Sequence, residues 1–145
     1  MRFMMIVKAS ADSEAGVLPS EENLAEMGRY NEELVRAGVL LAGEGLHPTA
    51  KGARVRFSRG ARTVAQGPFT GEGGLIAGFW LIQVKSLEEA VEWARRSPNP
   101  SPGREGEIEI RQVFSAEDFG PAMTPEGREA EDRMREQVAA RAGTD

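Results

Sequence analysis

Two stretches of this chain carry apolar side chains on both of their alternating faces, and these anchor the reading of the fold. In Arg2–Lys8 (RFMMIVK), Phe3, Met5 and Val7 point one way while Met4 and Ile6 point the other. In Leu75–Lys85 (LIAGFWLIQVK), Trp80, Ile82 and Val84 share one face, and Phe79, Leu81 and Gln83 the opposite one. Strands apolar on both faces belong at the centre of a sheet, covered from both sides. Four weaker strand patterns join them. Val39–Glu44 is the first. Arg54–Ser58 and Ala61–Gln66 alternate around Arg59-Gly60 and read as a hairpin. Glu107–Val113 places Ile108 and Ile110 inward, with charged neighbours outward.

Helical spacing fills the gaps between these strands. Ser20 is a plausible N-cap, and Glu21 and Glu22 suit the positive first turn of a helix running to about Ala37, with Gly38 as its stop. Leu24, Met27, Leu34 and Val35 form its expected apolar stripe, with Asn31 near the middle. An amide at such a position needs hydrogen-bond partners. Ser86 and Glu89 form a capping box for a second helix that is expected to bury Leu87, Ala90, Val91 and Ala94 and to stop at Pro98. Ala9–Pro19 reads as a loop. Thr124-Pro125 opens a last helix with a narrow apolar stripe of Ala130, Met134 and Val138. The order β-α-β-(hairpin)-β-α-β predicts an α+β protein of ferredoxin-like βαββαβ topology, with an extra β-hairpin and a C-terminal helix. The expected division is a domain over residues 1–114 and a C-terminal extension over 115–145. Two helices in this arrangement cover one sheet face, so the apolar second face predicts a homodimer with sheets stacked face to face.

Composition narrows the chemistry. The 145 residues suit one domain with a core of useful size, and 40% hydrophobic and 28% charged residues are ordinary for a globular protein. The absence of cysteine excludes disulfides, thiolate metal sites and cysteine nucleophiles. A single histidine, His47, excludes a multi-histidine metal site within one chain, and no carboxylate cluster has metal-loop spacing. No metal and no cofactor are expected. The net charge of −5 argues against nucleic acid as a partner. The apolar run Leu75–Val84 is about half the ~20 residues a membrane helix needs. The N-terminus enters a strand without a cleavage-type segment, so a cytoplasmic location is expected.

Three motifs then carry a resemblance. Gly43-Glu44-Gly45-Leu46-His47-Pro48, Gly67-Pro68-Phe69 and Gly78-Phe79-Trp80-Leu81-Ile82, continued by Val84–Ala94, resemble the YCII-related proteins that carry an Asp-Gly-Pro-Phe motif. The resemblance covers roughly the first 114 residues. It implies a ferredoxin-like fold assembled as a dimeric α+β barrel, with a pocket near the Gly-Pro-Phe loop. It also implies a regulatory association, since many such proteins are encoded beside extracytoplasmic-function sigma factors. The wider barrel superfamily includes lactone isomerases and monooxygenases. Where the family has its motif aspartate, this chain has Gln66. A carboxylate can act as a general base and an amide cannot, although Gln66 still donates and accepts hydrogen bonds.

The candidate site residues follow. His47 is the chain's one histidine, the residue type best suited to proton transfer near neutral pH, and is a candidate acid/base. Gln66, Gly67, Pro68, Phe69, Asn31 and Trp80 are candidate ligand-binding residues. Each has a plainer alternative: Gly67 and Pro68 shape a turn, Phe69 and Trp80 pack, and Asn31 completes a polar network. Arg54, Arg56, Arg59 and Arg62 decorate the hairpin; they could attract an anionic ligand or an acidic partner, and the plainer reading is a solvated face that discourages edge pairing. Gly71-Glu72-Gly73-Gly74 lacks the Lys-Ser/Thr and the helix of a phosphate loop. The leading expectation is a dimeric, regulatory small-molecule-binding protein. The alternatives are a cofactor-independent enzyme using His47 for proton transfer on a small lactone-like or aromatic substrate, and a protein-interaction module built on the tail helix.

Overall fold

The computed structural model describes residues 1–70 and 74–143; Gly71, Glu72 and Gly73 of the glycine-rich loop lie outside the described residues. The chain divides into two compact units, Met1–Val113 and Phe114–Asp145.

In the first unit, β1 (Arg2–Lys8), β2 (Leu40–Gly45), β5 (Ile76–Gln83) and β6 (Ile108–Gln112) form an antiparallel sheet in the order β2-β5-β1-β6. This is the ferredoxin-like strand order, and it puts the two strands with two apolar faces side by side at the centre. Met5 faces Trp80, and Phe3 faces Ile82, across their ladder. β3 (Ala53–Ser58) and β4 (Ala61–Gln66) form a separate two-stranded sheet. Its turn uses Arg59 at φ 41° and Gly60 at φ 80°. Positive φ at both central residues is the hairpin turn that matches the twist of the flanking strands.

Helices α2 (Glu21–Arg36) and α3 (Leu87–Arg96) both contribute to a core on one face of the sheet. Phe3, Met5, Leu34 and Ile82 are its fully buried large side chains, joined by Tyr30, Trp80, Val84 and Ala90. Both expected caps are present: the Ser20 hydroxyl accepts from Asn23 N and the Ser86 hydroxyl from Glu89 N.

Several expectations need correction. Ala9–Pro19 is not all loop, because a one-turn helix α1 (Ala11–Glu14) forms where Ser10 and Ser13 cap each other reciprocally. The buried stripe of α2 runs through Met27, Tyr30, Asn31 and Leu34, whereas Leu24 and Val35 are exposed. In α3, Ala90 is buried and Trp93 packs on the core, while Leu87 and Val91 are exposed. Strand β2 starts one residue late and slips register between Leu40 and Ala42, since Leu41 bulges out of the ladder.

The opposite sheet face carries Met4 and Ile6 of β1 beside Leu81 and Phe79 of β5. Ala42 and Glu44 of β2 adjoin it on one side, and Arg111 and Glu109 of β6 on the other. It is therefore an apolar stripe with charged flanks, one of them tied by the Lys8–Glu109 ion pair at 3.3 Å.

The second unit holds a 3-10 segment, Ala116–Ala122, and helix α4 (Pro125–Ala142). Phe114 stacks on Phe119 at 5.1 Å, and Glu117 pairs with Arg128. Thr124 caps α4 by accepting from Gly127 N at 3.0 Å. Met134 and Val138, two positions of its expected apolar stripe, are exposed.

Candidate functional site

A cleft of about 430 Å³ opens where the chain leaves β2 and where it enters and leaves the hairpin. His47, Lys51, Arg54 and Phe69 line it, with Leu46, Leu75 and Ile76 as apolar wall. It is wide enough for a small organic molecule.

One chain of hydrogen bonds ties two of its lining residues, Thr49 and Phe69, to Glu14, which does not itself line it. The Glu14 carboxylate of α1 accepts from Thr49 N at 3.2 Å and from the Thr49 hydroxyl at 2.6 Å. The Thr49 hydroxyl oxygen in turn accepts from Phe69 N at 2.9 Å. Thr49 opens the 3-10 turn Thr49–Lys51, so this side chain joins that turn to the Gly67-Pro68-Phe69 loop. Gly67 N donates to Gly52 O at 2.9 Å beside it, and the Gly67–Pro68 peptide is cis. A Cβ at Gly67 would run into the Thr49 carbonyl oxygen, so the backbones approach as closely as only glycine permits. The Arg54 guanidinium lies 4.0 Å over the Phe69 ring, a cation–π contact that holds its charge at the cleft.

The residues singled out from sequence fall into three places. His47 and Phe69 line this cleft. Gln66, Gly67 and Pro68 sit beside it without lining it; Gln66 ends β4, paired with Ala53, and is exposed. Asn31 and Trp80 are elsewhere, within the helix-covered core. There Trp80 Nε1 donates to Asn31 Oδ1 at 2.9 Å, and Tyr30 meets the Trp80 ring edge-on at 5.5 Å. The Tyr30 hydroxyl donates to Trp93 O at 2.6 Å, and burial pushes its pKa up to about 12. Gly43 serves the same packing, since a Cβ there would lie 3.0 Å from Trp80 Cδ1.

Three residues at or beside this cleft, Glu14, Thr49 and Lys51, escaped sequence reasoning. Glu14 and Thr49 carry no local motif, and Lys51 sits in a turn with no periodicity. Arg54 was named among four hairpin arginines able to attract an anion, without a signal that set it apart from the other three. Their convergence depends on the return of the chain at Gly67–Phe69, a contact between distant segments that spacing does not encode. Among the described residues, no group of three or more His, Asp or Glu could hold a metal ion, and no helix is long and apolar enough to cross a membrane.

Comparison with known proteins gives two matches. The family model for the YCII-related domain matches residues 1–117. An uncharacterized protein of Rhizobium meliloti (strain 1021) is 34% identical over 93 residues, which is 64% of this chain and 74% of that protein.

Proposed function

Because the chain belongs to the YCII-related family, we propose that it is a small-molecule-binding protein that acts as a homodimer, with the cleft beside His47 and Phe69 as its ligand site. The observation that carries the ligand reading is the Glu14–Thr49–Phe69 relay. It ties Thr49 and Phe69 of the lining in place without a ligand, and a lining ordered in advance lowers the entropic cost of binding. The homodimer reading rests on the half-buried apolar stripe of Met4, Ile6, Phe79 and Leu81, which a second copy would cover. Closure of two such sheets into a dimeric α+β barrel and a regulatory role beside an extracytoplasmic-function sigma factor are parts of this reading that stand on the sequence resemblance; a cytoplasmic location is a part that stands on the sequence pattern.

Proton-transfer catalysis is the second reading, and His47 in the cleft is the observation in its favour. That chemistry calls for a partner to the imidazole, and Gln66 is outside the cleft lining. Two experiments separate the readings. Small metabolites would be screened by NMR against the purified full chain. The binding reading expects ligand-induced shifts to gather at His47–Arg54 and Phe69; shifts gathered around Asn31 and Trp80 would contradict it. Enzyme-like turnover of a lactone or hydroxylated aromatic compound, abolished by His47→Ala, would overturn the binding-only account.

A further inference from the structure

We infer that the cleft selects a small organic carboxylate, with its charge held by Lys51 and Arg54 and its apolar body laid against Phe69 and Leu75. This deepens the ligand-site reading above and rests on it.

The sign of the charge comes first. The chain carries a net −5, yet the described residues that line this cleft include two basic side chains, Lys51 and Arg54, and no Asp or Glu. Neither cation has a carboxylate partner among the described residues, although Arg104, Arg128 and Arg135 elsewhere are paired. The Glu14 carboxylate is engaged by Thr49 and is not part of the lining, so among the described residues the charge that lines the cleft is that of Lys51 and Arg54, and it attracts an anion.

Geometry adds the body of the ligand. The Phe69 ring supports one face of the Arg54 guanidinium at 4.0 Å. A guanidinium stacked in this way keeps its edge N–H groups for a carboxylate, which accepts two parallel hydrogen bonds from them. Beside this charged corner the wall is apolar: Leu46, Leu75 and Ile76. A bare inorganic anion would leave that wall unused, while a carboxylate on an apolar or aromatic frame uses both. The exposed, open position of Lys51 and Arg54 suits a small soluble ligand that comes and goes.

The test is an amide-resolved NMR titration of the full chain at fixed ionic strength. The probes are phenylacetate, its uncharged isostere phenylacetamide, and inorganic phosphate. Phenylacetate should give saturable shifts at Thr49, Lys51, Gly52, Arg54 and Phe69, and should bind about tenfold or more tightly than phenylacetamide. Lys51→Gln and Arg54→Gln should each weaken phenylacetate about tenfold. Both side chains are exposed, so each variant should keep the native far-ultraviolet circular dichroism and a cooperative unfolding transition, with at most a small fall in midpoint for Arg54→Gln through its lost contact with Phe69. Equal binding of the acid and the amide at these residues overturns the anion assignment and leaves the ligand site standing. Phosphate binding as tightly as phenylacetate overturns the apolar-body assignment alone. No saturable shift at these amides from any probe overturns the inference, and the metabolite screen then decides separately whether the cleft binds anything.

Discussion

Thr49 is the residue on which the candidate site turns. Its hydroxyl is both donor to Glu14 and acceptor from Phe69 N, so Thr49→Val removes two part-buried hydrogen bonds while keeping the shape. Each such bond contributes about 1 kcal/mol, and the orphaned Phe69 amide adds to the loss. Urea unfolding should show a loss of about 2 kcal/mol, with faster hydrogen exchange at Phe69; an unchanged Phe69 exchange rate would mean the relay does not hold the loop. Tyr30 gives a pH-dependent prediction. Burial raises its pKa from 10.0 to about 12, against a lowering influence from Arg96. The folded state thus holds the phenolic proton more tightly than the unfolded state. The resulting stability is fully present below pH 10 and is lost as pH rises from there through about 12. Tyr30→Phe should cost about 1 kcal/mol at neutral pH through the lost bond to Trp93 O, and should flatten this part of the alkaline decline. Unfolding midpoints measured across that pH range check both effects. The Asn31–Trp80 pair shows how much sequence reasoning reaches at this scale. An amide on a core-facing helix stripe and an indole on a core strand each demand a partner, and that demand was legible. That each satisfies the other was not, because the pairing depends on how α2 crosses β5.

At the scale of elements, the strands that the hydrophobic pattern marks most strongly are the ones it places best. β1 and β5 are central because only central strands can use apolar residues on both faces. The pattern loses its hold where another force sets the structure. α1 is four residues long and owes its turn to the Ser10–Ser13 capping box, so it has no apolar period to read. The apolar pattern marks Leu24, Met27, Leu34 and Val35 of α2, with Asn31 near the middle; the 27-30-31-34 spacing is what meets the sheet, so Met27, Asn31 and Leu34 keep their places, Tyr30 joins them, and Leu24 and Val35 lie exposed. β2 is displaced by the bulge at Leu41, which breaks a strict alternation. The β3–β4 hairpin stands apart from the main sheet, and a two-stranded ribbon is only marginally stable in water. Its turn carries Arg59 at φ 41°, a conformation that asparagine tolerates better. Arg59→Asn should stabilise the hairpin by about 0.5–1 kcal/mol, seen as slower hydrogen exchange at the amides of β3 and β4. Faster exchange there would show that Arg59 makes a contribution beyond its backbone angle. On the α3 side, Ser86→Ala removes the bond from Glu89 N and should cost about 1 kcal/mol in unfolding free energy.

For the whole molecule, the sheet presents one finished face and one unfinished face. The finished face is the core of α2 and α3 packed on Phe3, Met5, Trp80 and Ile82. The other is the stripe of Met4, Ile6, Phe79 and Leu81, flanked by Glu44 on β2 and by Glu109 and Arg111 on β6. An apolar centre with charged flanks is the usual anatomy of a protein interface, and a two-fold axis makes one patch serve both partners. The Lys8 ammonium donates to the Glu109 carboxylate and holds its pKa below the ordinary range. Its stabilising contribution is present at neutral pH and fades as the carboxylate protonates in acid. Sedimentation velocity on the full chain at micromolar concentration, at neutral pH, for the native sequence and for Leu81→Glu, tests the homodimer most directly. The account predicts a species of twice the chain mass for the native protein. It predicts a shift to monomer for Leu81→Glu, with the far-ultraviolet circular dichroism unchanged. A native protein that sediments as a monomer at that concentration, or a Leu81→Glu variant that stays dimeric, would contradict it.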